Sequence, residues 1–475
     1  MDSAATTSPY LAGNYAPIDR EITAERLPVI GELPRELSGV FVRNASNARF
    51  AARGRYHWFD GDGMIHAVHF EDGVASYRNR WVRTEGFLAE ERAGEAQWTG
   101  LLERPDHTRL GGPYKNTANT DLVFHAGRCL ALWWMSGTPY VMRLPSLDTV
   151  GAETYGGRLL RGFAAHPKVD PRTGELVYMH FSPTAPFLEY GVIDREGAPV
   201  HHVAIDLPGS RLQHDIAITE RYSILLDMAM HNDPVEEARG RVRVKFFRDQ
   251  PSRFGVIPRR GASADVRWFE VAPCYIYHLI NAWEEDDAIV IVGCRIADPL
   301  VGDPGNAPTN TVVPAIAAQR LAPIIYRWRL DLLTGAVREE ALDDVLTEFP
   351  RMDNRRLGAP STVSYNPRIA PSPTLSFDGV IRYDHERGRS TTHAWPRGWF
   401  GGETVFAPRE GGTAEDDGWL LTFVVEEASG ASELYVIDAR NVELPPVARV
   451  PIPQRVPTGY HSWWVPAGDL ATQRG

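Results

Sequence analysis

Short apolar runs, cut apart by one recurring kind of turn, constrain this chain more than any other feature. GVFVR at 39–43, AVHF at 67–70, IVIVG at 289–293 and WLLTFVV at 419–425 are rich in β-branched and aromatic residues. Such side chains fit the pleated surface of a sheet. Asp170, Asp194 and Asp331 each stand a few residues before a glycine (Gly174, Gly197, Gly335), and EDGV at 71–74 is similar. Asp opens a turn by bonding its own backbone, and Gly supplies the positive φ that closes it. These segments read as hairpin tips.

Many hairpins with few helical patterns leave a barrel, a sandwich or a propeller. The chain has 475 residues, and seven propeller blades use roughly 65 to 70 residues each, four strands plus loops. The expectation is an all-β, seven-bladed β-propeller forming a single domain over residues 1–475, with about ten unordered residues at the start. No linker divides it. Short helices belong in excursions on one face, and DPGNAPTNT at 303–311 reads as a long surface loop.

The formal net charge of -11 disfavours nucleic acid, whose phosphates demand a basic face. Cys129, Cys274 and Cys294 are far apart and lie in or beside apolar runs. They read as buried thiols in a reducing compartment. The start of the chain lacks the basic and apolar regions of a signal peptide, and no apolar stretch is long enough to span a bilayer. A cytoplasmic location is expected.

The chain has 15 histidines. His166, His214, His278 and His461 stand out because each sits at or near an apolar or aromatic run and they are spread along the chain. Neutral imidazole suits iron, copper and zinc. Ligands this far apart meet only in a closed, ring-like fold, where inner strands converge on an axis. Spacing alone does not establish a site: any one of them reads first as a hydrogen-bonded core residue. There is no HExxH, no CxxC pair and no acidic calcium loop. His66 and His69 would diverge on a strand, as would His201 and His202.

The segments around the four histidines resemble, in order, the ligand motifs of the carotenoid cleavage oxygenase family. LPRELSGVFVRN at 33–44, HWFDGDGMIH at 57–66, NTANT at 116–120, IPRRG at 257–261, NAWE at 281–284, EFPRMD at 348–353 and FAPR at 406–409 extend the likeness from about residue 12 to 465. The resemblance implies a propeller with a metal on its axis under a dome of loops and short helices. It implies non-haem Fe(II) held by His166, His214, His278 and His461, with two positions of an octahedron left open and O2 as co-substrate. Zinc offers no redox chemistry. Glu348 and Glu403 match glutamates that orient ligand histidines. A third expected glutamate is missing. In ALWWMSGTPY at 131–140, Trp134 or Met135 takes its place, depending on which end is aligned. Neither replaces a carboxylate, so one ligand, on this reading His214, is left to water or a carbonyl. NASNA at 44–48 replaces a Gly-Pro turn.

Thr120 matches a threonine that crowds the open metal position, or is simply a packed strand residue. Phe59 matches a pocket aromatic that stacks on a conjugated substrate, or is plain core. A family branch acting on hydroxylated stilbenes and phenylpropenes holds the phenol with a tyrosine and a lysine. Here Leu101 or Leu102 and Trp134 stand at those places. A pocket of Leu101, Trp133, Trp134 and Phe59 is apolar and favours a carotenoid- or apocarotenoid-like alkene cleaved to two carbonyl products. Stilbenoids and phenylpropenes of the isoeugenol or vinylguaiacol type are the alternative. An isomerohydrolase is a rival within the family, separated by O2 consumption. A calcium-centred propeller hydrolase has only Asp60 and Asp62 to offer, and these read as a turn. A partner-binding propeller without catalysis is the last rival. The expected partners are a small hydrophobic alkene and O2, with weak membrane contact through VVPAIAA at 312–318; no motif specifies an oligomeric state.

Overall fold

The computed structural model describes residues 8–109, 111–159, 161–239, 244–299 and 321–474. The Asp-to-Gly segments are hairpin tips. Asp170 Oδ1 accepts the Arg172 N–H at 2.9 Å, and Gly174 takes φ 73° between strands Lys168–Val169 and Leu176–Phe181. Asp331 Oδ1 accepts the N–H groups of Leu333 and Thr334 at 2.9 and 2.7 Å, and Gly335 takes φ 79° before strand Val337–Leu346. A residue with a Cβ is strained at either glycine.

The strands form seven antiparallel sheets, the blades of a propeller, beside a small ribbon of Met230–Asn232 with Val244–Phe246. Six blades present an edge strand to the axis: Asp121–His125, Lys168–Val169, Ala217–Ile218, Tyr275–Glu285, Val405–Pro408 and Ser462–Pro466. The seventh, Val363–Ile369 with Phe377–Asp384 and Arg389–Ala394, is edged by residues 347–351 through bridges of Thr347 to Arg368 and Arg351 to Tyr365. Inner strands touch across blades, as Ser462–Pro466 does with both Asp121–His125 and Val405–Pro408.

Both ends of the chain close the ring. Ser462–Pro466 pairs with Gly39–Ser46, and Ile30–Gly31 pairs with Ala448–Ile452. Two adjacent blades are thus shared by the chain's ends, and the join leaves no open seam. Apolar side chains fill the spaces between blades. Phe254 and Trp328 are fully buried and meet edge to face at 5.3 Å, and Phe41 meets Phe423 at 5.3 Å between the two closing blades. Each such burial contributes about 1.5–3 kcal/mol.

Among the described residues there are three short α-helices, Glu85–Ala93, Pro234–Glu237 and Ala467–Leu470, none long and apolar enough to cross a membrane. The Pro-rich stretch 303–311 and the apolar stretch 312–318 lie outside the described residues. So do residues 1–7, where most of the stretch expected to be unordered falls; Tyr10 lies within the described residues. It sits in a 3-10 turn, Pro9–Leu11, stacked on Trp58 at 6.3 Å. Residues 44–46 continue the strand Gly39–Ser46 where a turn was the family pattern. Asn44 Nδ2 donates to the Ala118 carbonyl and Asn47 Nδ2 to that of Ile18, both at 2.8 Å, so this departure is structural.

Candidate metal centre

Each blade delivers one residue to one end of the axis, at or near the start of its inner edge: Thr120, His166, His214, His278, Glu348, Glu403 and His461. The four histidines meet there. The His166 ring lies 4.7, 5.0 and 4.4 Å from those of His214, His278 and His461. Nε2 of His214 and Nε2 of His278 stand 3.2 Å apart. His166, His214 and His278 offer ligand atoms within 4.8 Å of one another, as do His166, His461 and Asp121.

Two imidazoles are held from behind. His278 Nδ1 lies 2.5 Å from Glu348 Oε2, and His461 Nδ1 lies 2.8 Å from Glu403 Oε1. A proton on Nδ1 leaves the lone pair on Nε2. Nε2 of His166 is buried without a hydrogen-bond partner. An orphaned buried nitrogen costs on the order of 1–3 kcal/mol, and facing lone pairs repel. A cation at the centre removes both penalties, so these residues fit a metal ion with nitrogen ligands.

Burial, followed by the neighbouring imidazoles, holds His166, His214 and His461 well below the usual histidine range, which keeps them neutral. Burial also opposes charge on His278, but the Glu348 carboxylate outweighs it and the group is raised. Burial raises Glu403 against the pull of Arg351, whose Nε lies 2.8 Å from its carboxylate.

Side chains of one blade grip the next beside its histidine. Asp121 Oδ2 accepts the His166 N–H at 3.0 Å and lies 3.5 Å from His166 Nδ1. His166 has φ 68°, a left-handed conformation that a non-glycine residue keeps only when its surroundings enforce it. Asp215 Oδ2 accepts the Leu279 N–H at 2.8 Å, while its Oδ1 meets Lys168 Nζ at 2.6 Å. Glu403 accepts the Ser462 N–H at 2.5 Å.

No carboxylate fills the place of the missing glutamate. Trp134 is buried, its backbone N–H donates to Thr120 Oγ1 at 3.2 Å, and its Nε1 has no partner. Met135 is half-buried and lines a cavity of about 340 Å³ with Trp134, Phe181 and Leu212. His214 Nδ1 has no hydrogen-bond partner among the described residues; the Tyr277 ring abuts the imidazole edge to face at 4.9 Å.

A chamber of about 80 Å³ adjoins the histidines, lined by His57, Phe59, Thr120, Tyr277, Phe349 and Tyr460, among others. Thr120 Oγ1 donates to Asn119 Oδ1 at 2.9 Å. The Phe59 ring lies 5.4 Å from both Trp134 and Tyr460. Leu101 is not in this chamber. It lines a neighbouring cavity with Phe59, Trp133, Trp134, Tyr114 and Lys115. Lys115 Nζ is bound to Asp62 at 2.7 Å and Glu90 at 2.5 Å. The pocket expected to be wholly apolar therefore carries a phenol and a buried ion-pair cluster. Asp60 accepts the N–H groups of His57 and Leu101, at 2.7 and 2.8 Å, so the acidic pair organises this wall. His66, His201 and His202 bond elsewhere, to Tyr77, the Gly261 carbonyl and Glu189.

Sequence reasoning missed Asp121, Asp215 and most of the chamber wall. Tyr277, Phe349 and Tyr460 adjoin His278, Glu348 and His461 in sequence, and that adjacency was the available signal. Tyr10 and Leu375 also line the chamber, from distant segments that carried none.

The family model for retinal pigment epithelial membrane protein matches residues 15–466. A carotenoid 9,10(9',10')-cleavage dioxygenase of Arabidopsis thaliana is 36% identical, covering 100% of this chain and 93% of its own. Isoeugenol monooxygenase of Pseudomonas nitroreducens is 30% identical over 96% of this chain and 98% of its own. The crystal structure of Pseudomonas brassicacearum lignostilbene dioxygenase superimposes with a TM-score of 0.86 at 29% identity, covering 97% of this chain and 99% of that one. With its fold, its four converging histidines and a family match that runs almost end to end, the chain belongs to the carotenoid cleavage oxygenase family and is an enzyme of that dioxygenase class.

Proposed function

We propose that this enzyme is a non-haem Fe(II) dioxygenase that cleaves a conjugated C=C bond with O2, giving two carbonyl products. The observation that carries this reading is the convergence of His166, His214, His278 and His461 on one axial point, with Glu348 and Glu403 behind two of them. Bound iron would supply activation of O2, which zinc does not. The chain's own residues do the rest. Glu348 and Glu403 hold the protons of His278 and His461 on Nδ1 and fix both rings. Phe59, Phe349 and Tyr460 exclude water from the chamber and give a conjugated substrate flat surfaces to pack on. Orientation of one double bond beside the metal is their principal contribution.

For the substrate we propose a carotenoid- or apocarotenoid-like alkene. Likeness to a carotenoid-cleaving enzyme over the whole chain supports it. So do Leu101 and Trp134, which stand where the stilbene branch would place its tyrosine and lysine. The second reading, a stilbenoid or phenylpropene, is favoured by the lignostilbene and isoeugenol enzymes among the relatives and by the Tyr114 phenol beside Trp134. Three buried cysteines without a disulfide are in keeping with a cytoplasmic location.

The test is O2 uptake by Fe(II)-loaded protein against an apocarotenal, a hydroxystilbene, isoeugenol and a methoxylated, nonphenolic stilbene. Uptake equal to alkene consumed, with two carbonyl products, is expected, and the member that responds assigns the branch. Turnover of a retinyl-type ester without O2 would place the enzyme with the isomerohydrolases instead.

A further inference from the structure

His57 offers the chamber a hydrogen bond that the protein itself does not use. It stands at the N-cap of the 3-10 turn Trp58–Asp60, where its Nδ1 accepts the Phe59 N–H at 3.1 Å. An imidazole that accepts at Nδ1 carries its proton on Nε2 when neutral. Burial pushes the group down to about 4, so the neutral form is the one present at ordinary pH. The side chain belongs to a residue only 5% exposed and lines the chamber beside His214, His278 and His461. No described residue accepts from its Nε2.

A hydrocarbon bound in the chamber would leave the His57 Nε2–H unpaired, at a cost of about 1–3 kcal/mol. A substrate oxygen relieves that cost.

We infer that His57 is a specificity-determining residue whose Nε2–H binds an acceptor oxygen of the substrate, a carbonyl, ether or hydroxyl oxygen conjugated to or near the reacting alkene. The natural substrate is then an oxygenated alkene, and the plain hydrocarbon is disfavoured. The inference rests on the chamber being the substrate site proposed above. It concerns binding, so it is separable from cleavage.

The test compares isosteric ligands under anaerobic conditions with the Fe(II)-loaded protein. One pair is a methoxystilbene and its ethyl isostere, with a methylene for the ether oxygen. The other is an apocarotenal and its terminal-methylene analogue. Dissociation constants from tryptophan quenching are expected to favour the oxygenated member of at least one pair by roughly tenfold. His57→Asn keeps an acceptor for the Phe59 N–H, and its shorter amide withdraws the donor from the Nε2 position, so the preference ratio falls towards one. His57→Gln places a donor near the lost Nε2 and restores part of it. Equal affinity within both pairs for the wild-type protein, or no measurable binding of any member, overturns the inference, even where His57→Asn fails to fold. A preference that persists in His57→Asn overturns it as well. Preferential binding without O2 uptake leaves the inference standing and removes the dioxygenase reading instead.

Discussion

The two halves of the histidine cluster are held by different means. His278 and His461 are gripped at the ring, Nδ1 to a buried carboxylate, at 2.5 and 2.8 Å. His166 and His214 are not. His166 is held at its backbone by Asp121, with the ring nitrogen 3.5 Å from that carboxylate, and His214 Nδ1 has no partner among the described residues. A ring fixed through its second nitrogen is both oriented and made more basic. A ring fixed through its backbone is placed but not locked at its second nitrogen. The gripped half would hold a metal with its rings already oriented, and the backbone-held half would add its nitrogens from the other side.

Replacing a gripped ligand breaks the comparison most severely. His278→Ala is expected to abolish iron retention and lower turnover at least about a thousandfold, because it also leaves the buried Glu348 without its partner. Iron content by plasma emission, measured with O2 uptake, checks both effects. Glu348→Gln and Glu403→Gln keep the shape and lose the charge. Each should weaken iron binding or activity by about 10- to 100-fold, read as Kd in a competitive chelator titration. Asp121→Asn changes the backbone-held half. Its amide oxygen still accepts the His166 N–H, so a loss of only about threefold is expected. If Asp121→Asn proved as damaging as Glu348→Gln, the contrast between the halves would collapse.

Stability against pH reads the burial of histidines outside the metal centre. Burial pushes His57, His125 and His385 down to about 4 from 6.5. Unfolded, each takes a proton near 6.5; folded, only near 4. The unfolded chain thus binds more protons between these values. Stability is lost as pH falls from 6.5 to 4, by at most about 1.4 kcal/mol per histidine per pH unit. Urea midpoints across this range should show the slope, and His57→Asn should reduce it by about one proton. An unchanged slope in that variant would mean that His57 titrates normally in the folded protein.

What the sequence disclosed follows the range of the interactions. The hairpins were legible because Asp170 with Gly174, and Asp331 with Gly335, encode a turn within five residues. The four histidines were legible only through the segments around them, since no spacing rule joins residues on separate blades. The inner edge at 347–351 was hidden because isolated bridges, not a continuous strand, attach it. Asp121 and Asp215 were hidden because their partners, His166 and Leu279, lie 45 and 64 residues away. Tyr114 and Lys115 escaped because the apolar reading of the pocket rested on Leu101 and Trp134, which face them from other segments.

If the four histidines hold an iron that uses O2 to split an alkene, both oxygen atoms end in the products. A single-turnover reaction under labelled O2 tests it most directly, with the Fe(II)-loaded protein and the responding substrate from the panel. One O2 is expected to be consumed per alkene, with label in both carbonyl products when exchange with water is suppressed. Product formed at full iron occupancy without O2 consumption, or with label in only one carbonyl under those conditions, would contradict it.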